Sequence, residues 1–168
     1  MIDRFQQTVK KSGGFLFSNR YRIDITQLRG ESYSAFANRV ELPGIDFVQT
    51  DFDACGKILH TPSKFSIGDL QVTFFNSGKE YHGVLLLFSK IFNARTRAFG
   101  YFKDIVSNIT VTQFSRTNEP VLQMTYLLCS LKSISGLALN YAEATEPQTF
   151  TVTFSCGGVE EAYTRPSK

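Results

Sequence analysis

The sequence predicts a mainly β protein, an antiparallel β-sandwich or small barrel with one amphipathic α-helix. The first observation behind this is ring content: 16 Phe and 7 Tyr among 168 residues, and rings pack well on the pleated, half-buried surface of a strand. The second is a set of short segments that alternate apolar with polar residues between turn residues. A chain of this length is predicted to form one domain, residues 1–168.

The first strands are predicted near the amino terminus. Residues 21–26 alternate between apolar and polar side chains, which is the period of a half-buried strand. Residues 34–41 are the predicted partner strand, and the Leu-Pro-Gly sequence at 42–44 is a turn that ends it.

A hairpin arm is predicted over residues 45–61. Its strands, 45–53 and 57–61, flank Ala-Cys-Gly at 54–56, and aspartates stand among its rings. An isolated two-stranded hairpin is marginally stable in water, and this one carries more apolar surface than a free hairpin should expose. We therefore expect a neighbouring subunit to order it. The predicted interface residues are Phe47, Val48, Phe52, Ile58 and Leu59.

One long helix is predicted from about Gly78 to about Asn93, after a strand at 67–75. Ser77 and Glu80 have the spacing of a capping box, in which side chains satisfy the free amides of the first turn. Apolar residues then recur at spacings of three and four, which predicts one core-facing stripe. Its members are Tyr81, Val84, Leu85, Phe88, Ile91 and Phe92.

The rest of the chain is predicted to return to β structure as a meander. The predicted strands are residues 108–115, 121–131, 137–141 and 148–155, which are rich in Thr, Val, Ile, Leu and Phe. Residues 157–168 contain two glycines and a proline, and they predict a partly loose tail.

Charge and cysteine content exclude several classes of protein. The net charge of +3 is too small for a dedicated nucleic-acid-binding domain. Residues 1–12 lack the apolar stretch of a signal peptide, and no run approaches the ~20 apolar residues of a spanning helix, so no membrane insertion is expected. Cys55, Cys129 and Cys156 match neither a disulfide framework nor a zinc site, and we expect them to be reduced.

No catalytic, cofactor-binding or metal-binding residue is predicted. His60 and His82 are isolated, and the sequence has no G-x-S-x-G, P-loop, G-x-G-x-x-G or H-E-x-x-H motif. Asp51 and Asp53 would share one face of a strand, which could suit acid–base work or a cation. Solvated charge on the arm is the favoured interpretation, so the sequence predicts a protein that is not an enzyme.

Residues 90–103 interleave lysine and arginine with Phe and Tyr. Stacking rings beside cations are typical of surfaces that hold single-stranded nucleic acid. The favoured alternative is that the cations complement the negative end of the helix dipole while the rings return to the core.

Several segments resemble the tail tube proteins of contractile-tailed bacteriophages. The strand-turn-strand at 129–141 and the Gln-Thr-Phe-Thr-Val-Thr-Phe strand at 148–154 resemble the end of that family. An early strand at 17–25, the turn at 42–44, a strand ending at Asn76 and one helix follow in the family's order, over roughly residues 15–158. Asn140 stands where the family has an acidic residue, and the turn after Leu131 lacks the usual proline.

The resemblance implies a structural role. In that family six copies form a ring whose inner strands close into a barrel, and rings stack into a tube inside a contractile sheath. The lumen conducts the genome into the host without specific binding of DNA. Implied partners are further copies of the chain and the sheath, baseplate and tail terminator proteins. The implied location is the virion tail, with assembly in the host cytoplasm.

Two other functions stay open at this point. One is a tube protein of the baseplate or of a related contractile injection or secretion machine. The other is a β-sandwich module that binds carbohydrate or nucleic acid through its rings. If the family's ring forms, strands in the inner barrel would present hydroxyls, because alternate residues of a strand point to opposite sides. The predicted lumen-facing residues are Thr110, Thr112, Thr149, Thr151 and Thr153.

Overall fold

The described part of the chain is antiparallel β structure with two helices, which confirms the predicted fold class. The computed structural model describes residues 19–26, 28, 34–115, 117–137 and 147–163. Its elements, in chain order, are β1 (Tyr21–Ile25), β2 (Ala37–Glu41), β3 (Ile45–Ala54), β4 (Lys57–Ile67), β5 (Asp69–Phe75), α1 (Lys79–Ile91), β6 (Phe92–Asn93), β7 (Ala98–Phe99), α2 (Phe102–Ile105), β8 (Ser107–Phe114), β9 (Pro120–Ile134), β10 (Thr149–Ser155) and β11 (Gly158–Tyr163).

Seven of these strands form two packed layers. The strand order is β1–β8–β9–β10–β5–β2, and β11 also pairs with β9. Layer A consists of β1, β8, β11 and the first part of β9, whereas layer B consists of β10, β5, β2 and the end of β9. The short β6–β7 hairpin and the β3–β4 hairpin lie outside both layers.

Strand β9 belongs to both layers and connects them. Up to Cys129 it pairs with β8 and β11, and from Ser130 onward it pairs with β10. At the changeover Leu128 has φ +52°, in the left-handed region that bulky residues rarely adopt. The Asn108 side chain accepts a hydrogen bond from the Leu128 amide at 3.3 Å. This irregularity bends the strand from one layer into the other.

The two layers bury one hydrophobic core between them. Alternate residues of each strand point inward, as the period of a strand requires. In layer B the rings of Phe74 and Phe150 stack with centroids 5.6 Å apart, and Tyr81 of α1 meets Phe150 edge-on at 5.2 Å. The helix therefore packs against this core. The core also contains Ile23, Ile25, Leu28, Leu70, Val72, Val84, Leu87, Ile109, Val111, Tyr126, Val152 and Phe154.

Most predicted strands are confirmed, with changes at their ends. Residues 34–36 precede β2 instead of belonging to it, and β9 continues three residues past the predicted 121–131. In the predicted strand 137–141, Leu137 lies outside any strand and residues 138–141 lie outside the described part.

The loose tail predicted from residue 157 is wrong for residues 158–163, which form β11. They pair with β9 from Gly158 opposite Leu127 to Tyr163 opposite Leu122. Residues 164–168 lie outside the described part. Gly157 lies where the chain passes close to β9. A Cβ atom at this position would approach Leu128 Cβ to 3.4 Å, so a small residue fits there.

The expectation of three reduced cysteines is also wrong. Cys129 and Cys156 form a disulfide across a sequence separation of 27. The register explains the contact, because Cys129 precedes Ser130 on β9 and Cys156 follows its partner Ser155 on β10. The disulfide therefore lies at the corner where β9 passes between the layers. Cys55 is free and exposed.

Helix α1 lies within its predicted span, but part of its predicted core stripe is wrong. Val84 is fully buried and Tyr81 packs against the core. Leu85 and Phe88 are instead 40% and 47% exposed, and Leu87 is buried. Residues 84–88 are all apolar, so spacing alone cannot select the buried face.

Alanine substitutions at two adjacent positions test this assignment. Leu87→Ala is expected to lower the free energy of unfolding by about 2 to 5 kcal/mol, because it leaves a cavity in the core. Phe88→Ala is expected to cost well under that amount, since the ring is half in solvent. Urea unfolding of both variants measures the difference. An equal or larger loss for Phe88→Ala would contradict the assignment.

Candidate assembly surfaces

The β3–β4 hairpin is an arm whose residues are exposed along its length. Its strands pair from Ile45 opposite Ile67 to Ala54 opposite Lys57. Residues 45–53 and 55–66 are all exposed. At about 3.4 Å per residue, the ten-residue β3 extends roughly 34 Å. No core of its own stabilises this ribbon, which we call the arm.

The arm continues the ladder between β2 and β5. Those strands pair up to Glu41 opposite Gln71, and the arm begins after the Leu-Pro-Gly turn, where the Gly68 amide donates to the Gly44 carbonyl at 3.1 Å. At the far end Cys55 and Gly56 have φ values of +54° and +78°. Positive φ at both central residues is the geometry of a two-residue hairpin turn.

The five predicted interface residues all lie exposed on the arm. Their exposed fractions range from 52% at Leu59 to 65% at Ile58. The structure adds two exposed apolar residues. Ile45 lies inside the predicted arm but is not among the predicted interface residues, and Phe65 lies beyond the predicted end of the arm at residue 61. Strand β4 continues through Pro62, because the register shifts beside this residue and proline is tolerated at such a bulge. Contact of these residues with another subunit stays a prediction.

Two patches of apolar residues lie on opposite faces of the arm. Near the base Phe47 lies opposite Phe65, and near the tip Phe52 lies opposite Leu59. Positions 47 and 52 differ by an odd number, so their side chains point to opposite faces of the ribbon. We call Ile45, Phe47 and Phe65 the base patch, and Phe52 with Leu59 the tip patch. The arm thus presents apolar surface to both sides.

The structure does not bring the five predicted lumen residues onto one surface. Thr110 and Thr112 lie on layer A, whereas Thr149, Thr151 and Thr153 lie on layer B. Both layers turn their apolar sides to the same core, so their outer faces point in opposite directions. A single lumen can be lined by one set, and which set stays a prediction.

Both outer faces carry hydroxyls that bond to one another. Thr110 and Thr125 are 3.2 Å apart through their hydroxyl oxygens, and Thr73 and Thr151 are 3.0 Å apart. Three of the ion pairs in the described part lie on these faces, with N···O distances of 2.6 to 3.0 Å, and they are Arg22–Asp24, Arg39–Glu41 and Lys132–Asp69.

The segment at 90–103 is a second exposed surface, and the expectation that its rings return to the core is wrong. Phe99, Tyr101 and Phe102 are 77%, 79% and 68% exposed. The β6–β7 hairpin holds Phe99 5.2 Å from the Phe92 ring, so these rings pack on each other at the surface. Its four cations are also exposed, and they are Lys90, Arg95, Arg97 and Lys103.

Clusters of metal-ligating side chains are absent from the described ranges. No group of three or more His, Cys, Asp or Glu residues there could hold a metal ion. Asp51 and His60 pair at 2.6 Å on the exposed arm, and Asp53 accepts the Gly56 amide in the tip turn. In the same described part, no helix has the length and apolar character to cross a membrane.

One buried carboxylate, Glu80, serves the start of helix α1. Its Oε2 accepts hydrogen bonds from the Ser77 amide at 3.0 Å and from the Ser77 hydroxyl at 2.5 Å. The glutamate half of the predicted capping box is confirmed, but the N-cap is Gly78 and no side chain caps it. Burial favours the neutral acid, but the hydrogen bonds outweigh burial and lower the pKa of Glu80 below its usual value.

Comparison with solved structures identifies the fold. A chain of the PVC sheath–tube complex of an extracellular contractile injection system, in the extended state, has a TM-score of 0.67 at 12% identity. The match covers 89% of this chain and 93% of that chain. A chain of the anti-feeding prophage tube-terminating cap has a TM-score of 0.66 at 11% identity, over 89% and 92%.

This chain has the fold of proteins from contractile injection systems. A chain of the PVC sheath/tube terminator gives a further match, with a TM-score of 0.65 at 12% identity over 88% and 96% of the two chains. No protein-family model and no curated protein sequence matches the chain. The likeness therefore lies in the fold.

The lowered pKa of Glu80 predicts a contribution to acid stability. A carboxyl whose folded pKa is depressed stabilises the protein above its unfolded pKa of about 4.3, and this is lost as the pH falls through the folded pKa. Glu80→Gln should therefore unfold more easily at pH 7 and show a shallower loss of stability between about pH 5 and 3. Urea midpoints across that range measure it.

Ser77→Ala is the matched control, because it keeps the carboxylate and removes one donor. It is expected to cost about 1.5 to 3 kcal/mol at pH 7, as for a hydrogen bond to a charged group. An unchanged acid profile in Glu80→Gln would show that another group controls it.

Proposed function

We propose that this chain is a structural subunit of the tube of a contractile machine, and that copies assemble into stacked hexameric rings. The arm carries this proposal. It presents two apolar patches on opposite faces and has no core of its own. It extends from a sandwich whose fold is similar to that of a protein in a contractile injection system. An arm of this kind needs a neighbouring surface on each side.

The tube of a phage tail is the first form of this proposal. In that machine the rings would lie inside a contractile sheath, between baseplate and terminator proteins, in the virion tail. The lumen would conduct the genome to the host cell. On the described parts of both hydroxyl faces, Arg22, Arg39 and Lys132 are each paired with a carboxylate. This pairing supports passage without binding, because phosphate contacts with lysine or arginine provide most nonspecific affinity for DNA.

A tube of the baseplate or of an injection or secretion machine is supported equally. The matched chains belong to a sheath–tube complex, a tube cap and a tube terminator of injection systems. The assembly argument is the same in both machines, because it rests on the arm and the two layers. Only the cargo differs. In both forms the role is structural and not catalytic.

A nucleic-acid-binding module is the second candidate function. The exposed rings of Phe99, Tyr101 and Phe102, with cations beside them, favour it. Bases could stack on these rings while the cations contact phosphates. This candidate predicts a monomer or small oligomer that binds single strands.

The arm gives the first test. Phe52→Asp is expected to leave the monomer folded, because the ring is exposed, and to raise the concentration needed for assembly by at least about tenfold, as for loss of an interface hot spot. Circular dichroism reports the fold, and negative-stain micrographs report rings or tubes.

Thr50→Asp is the matched control for that charge. Thr50 lies two residues away on the same face of the same strand and is exposed, so it adds the carboxylate without removing a ring. Normal tubes from Phe52→Asp would show that the tip patch is not an interface.

Binding of DNA separates the two functions. Assembled protein mixed with short single-stranded or duplex DNA at about 50 mM salt should retain little of it. Tight binding that falls steeply with salt, and that is lost in Tyr101→Ala, would instead support the nucleic-acid-binding module.

A further inference from the structure

Two passages of the chain between the layers lie side by side, and the Cys129–Cys156 disulfide joins them. Strand β9 leaves layer A after Cys129 and enters layer B. The chain returns from β10 in layer B to β11 in layer A through Cys156 and Gly157. The disulfide therefore links one passage between the layers to the other.

Backbone contacts on both sides of the disulfide hold the two cysteines together. On one side Ser155 of β10 pairs with Ser130 of β9. On the other side the Gly157 amide donates a hydrogen bond to the Leu127 carbonyl at 3.0 Å. Because these contacts set the register of the two passages, the sulfur atoms meet whether or not the covalent bond has formed. We therefore expect the same fold to accommodate two thiols or one disulfide.

Strand β11, which follows the disulfide, has little other support. Among the described residues it pairs with β9 alone. Val159 is partly buried against the core, whereas Glu160 and Glu161 are exposed. At the opposite edge of layer A, strand β1 buries Ile23 and Ile25 to 1% and 4% exposure. Segments with few buried apolar contacts open locally at a low cost in free energy, so β11 is expected to open before β1 does.

The disulfide restrains the end of β11 at which the strand begins. The first ladder pair of β11, Gly158 opposite Leu127, lies two residues after Cys156. While Cys156 is bonded to the fully buried Cys129, this end cannot leave β9, and opening can begin only at Tyr163. We propose that the cysteine pair is a redox latch, which holds β11 on the sandwich as a disulfide and lets it open from both ends as two thiols.

Closing the latch is a two-electron oxidation, for which a low-molecular-weight disulfide such as oxidised glutathione is the oxidant. The thiolate of the half-buried Cys156 attacks one glutathione sulfur and releases the first glutathione thiolate. The thiol of Cys129 then loses its proton, attacks the Cys156 sulfur and releases the second glutathione thiolate. The two protons pass to the released thiolates. Two protein thiols thereby become one disulfide, and oxidised glutathione becomes two molecules of reduced glutathione.

The latch controls which backbone groups layer A presents at its edge. When β11 opens, residues 122–127 of β9 lose their partners in that ladder, and unpaired strand groups can pair with another chain. In a reducing cytosol the cysteines are thiols and this edge opens more often, whereas an oxidising compartment keeps it covered. The proposal does not depend on the proposed tube function.

Hydrogen exchange followed by NMR tests the latch. Cys55→Ser is the parent for this experiment, because Cys55 is a free, exposed thiol that would confuse the redox chemistry. The chain is equilibrated with oxidised glutathione or with dithiothreitol, and alkylation of thiols confirms its state. The amides of residues 158–161 should exchange at least about tenfold faster in the reduced chain, because local opening of β11 becomes easier. The amides of β1 are the internal control and should change by less than about twofold.

Cys156→Ser gives an independent readout, because the disulfide cannot form in it. Its β11 amides should exchange rapidly with either reagent, and circular dichroism should show that the sandwich is retained. Unchanged exchange of β11 on reduction would overturn the proposal, as would equal acceleration of β1 and β11, which would make the disulfide a general stabiliser. Loss of the fold on reduction would also overturn it, since the bond would then be a requirement of folding. A cysteine pair that stays as thiols in oxidised glutathione would contradict the latch itself.

Discussion

Both layers of the sandwich depend on how strand β9 is bent. Its first part completes layer A and its end completes layer B, so a straight β9 would hold the two halves of the core apart. The left-handed conformation of Leu128 produces the change of direction, and the Asn108 side chain and the nearby disulfide hold the corner. Backbone strain of this kind costs on the order of 1 to 3 kcal/mol. The shared core offsets that cost.

The arm, unlike the sandwich, leaves its aromatic rings exposed. The sandwich buries its rings between two layers, whereas the arm keeps Phe47 and Phe52 in solvent on opposite faces. Ordering a ribbon of this length costs conformational entropy at every residue, and the burial of apolar surface within one chain does not offset that cost. Its sequence is therefore consistent with selection for a surface outside the chain. The fold of the sandwich and the composition of the arm together support the assembly function better than either does alone.

Local signals in the sequence predicted the strands, the arm and the helix start, because alternation, turn residues and the Ser77–Glu80 spacing act over a few residues. Nonlocal relations were not predictable. The choice between Leu87 and Phe88 depends on where the helix packs, since residues 84–88 are all apolar. The disulfide depends on the register of β9 with β10, and the separation of the predicted lumen threonines into two sets depends on which layer each strand joins.

The position of the arm also has a consequence for the ends of any assembly. The arm leaves the sandwich as a continuation of one strand ladder, so a stack of copies joined by arms has a direction. One end of such a stack would present the exposed rings of Phe47 and Phe52, and the other end would present the unoccupied surfaces that an arm contacts. These two ends differ chemically and would add copies at different rates. A protein that stops growth at the arm end must cover apolar side chains and lack an arm of its own, whereas a starting platform must supply arms or leave the receiving surfaces closed.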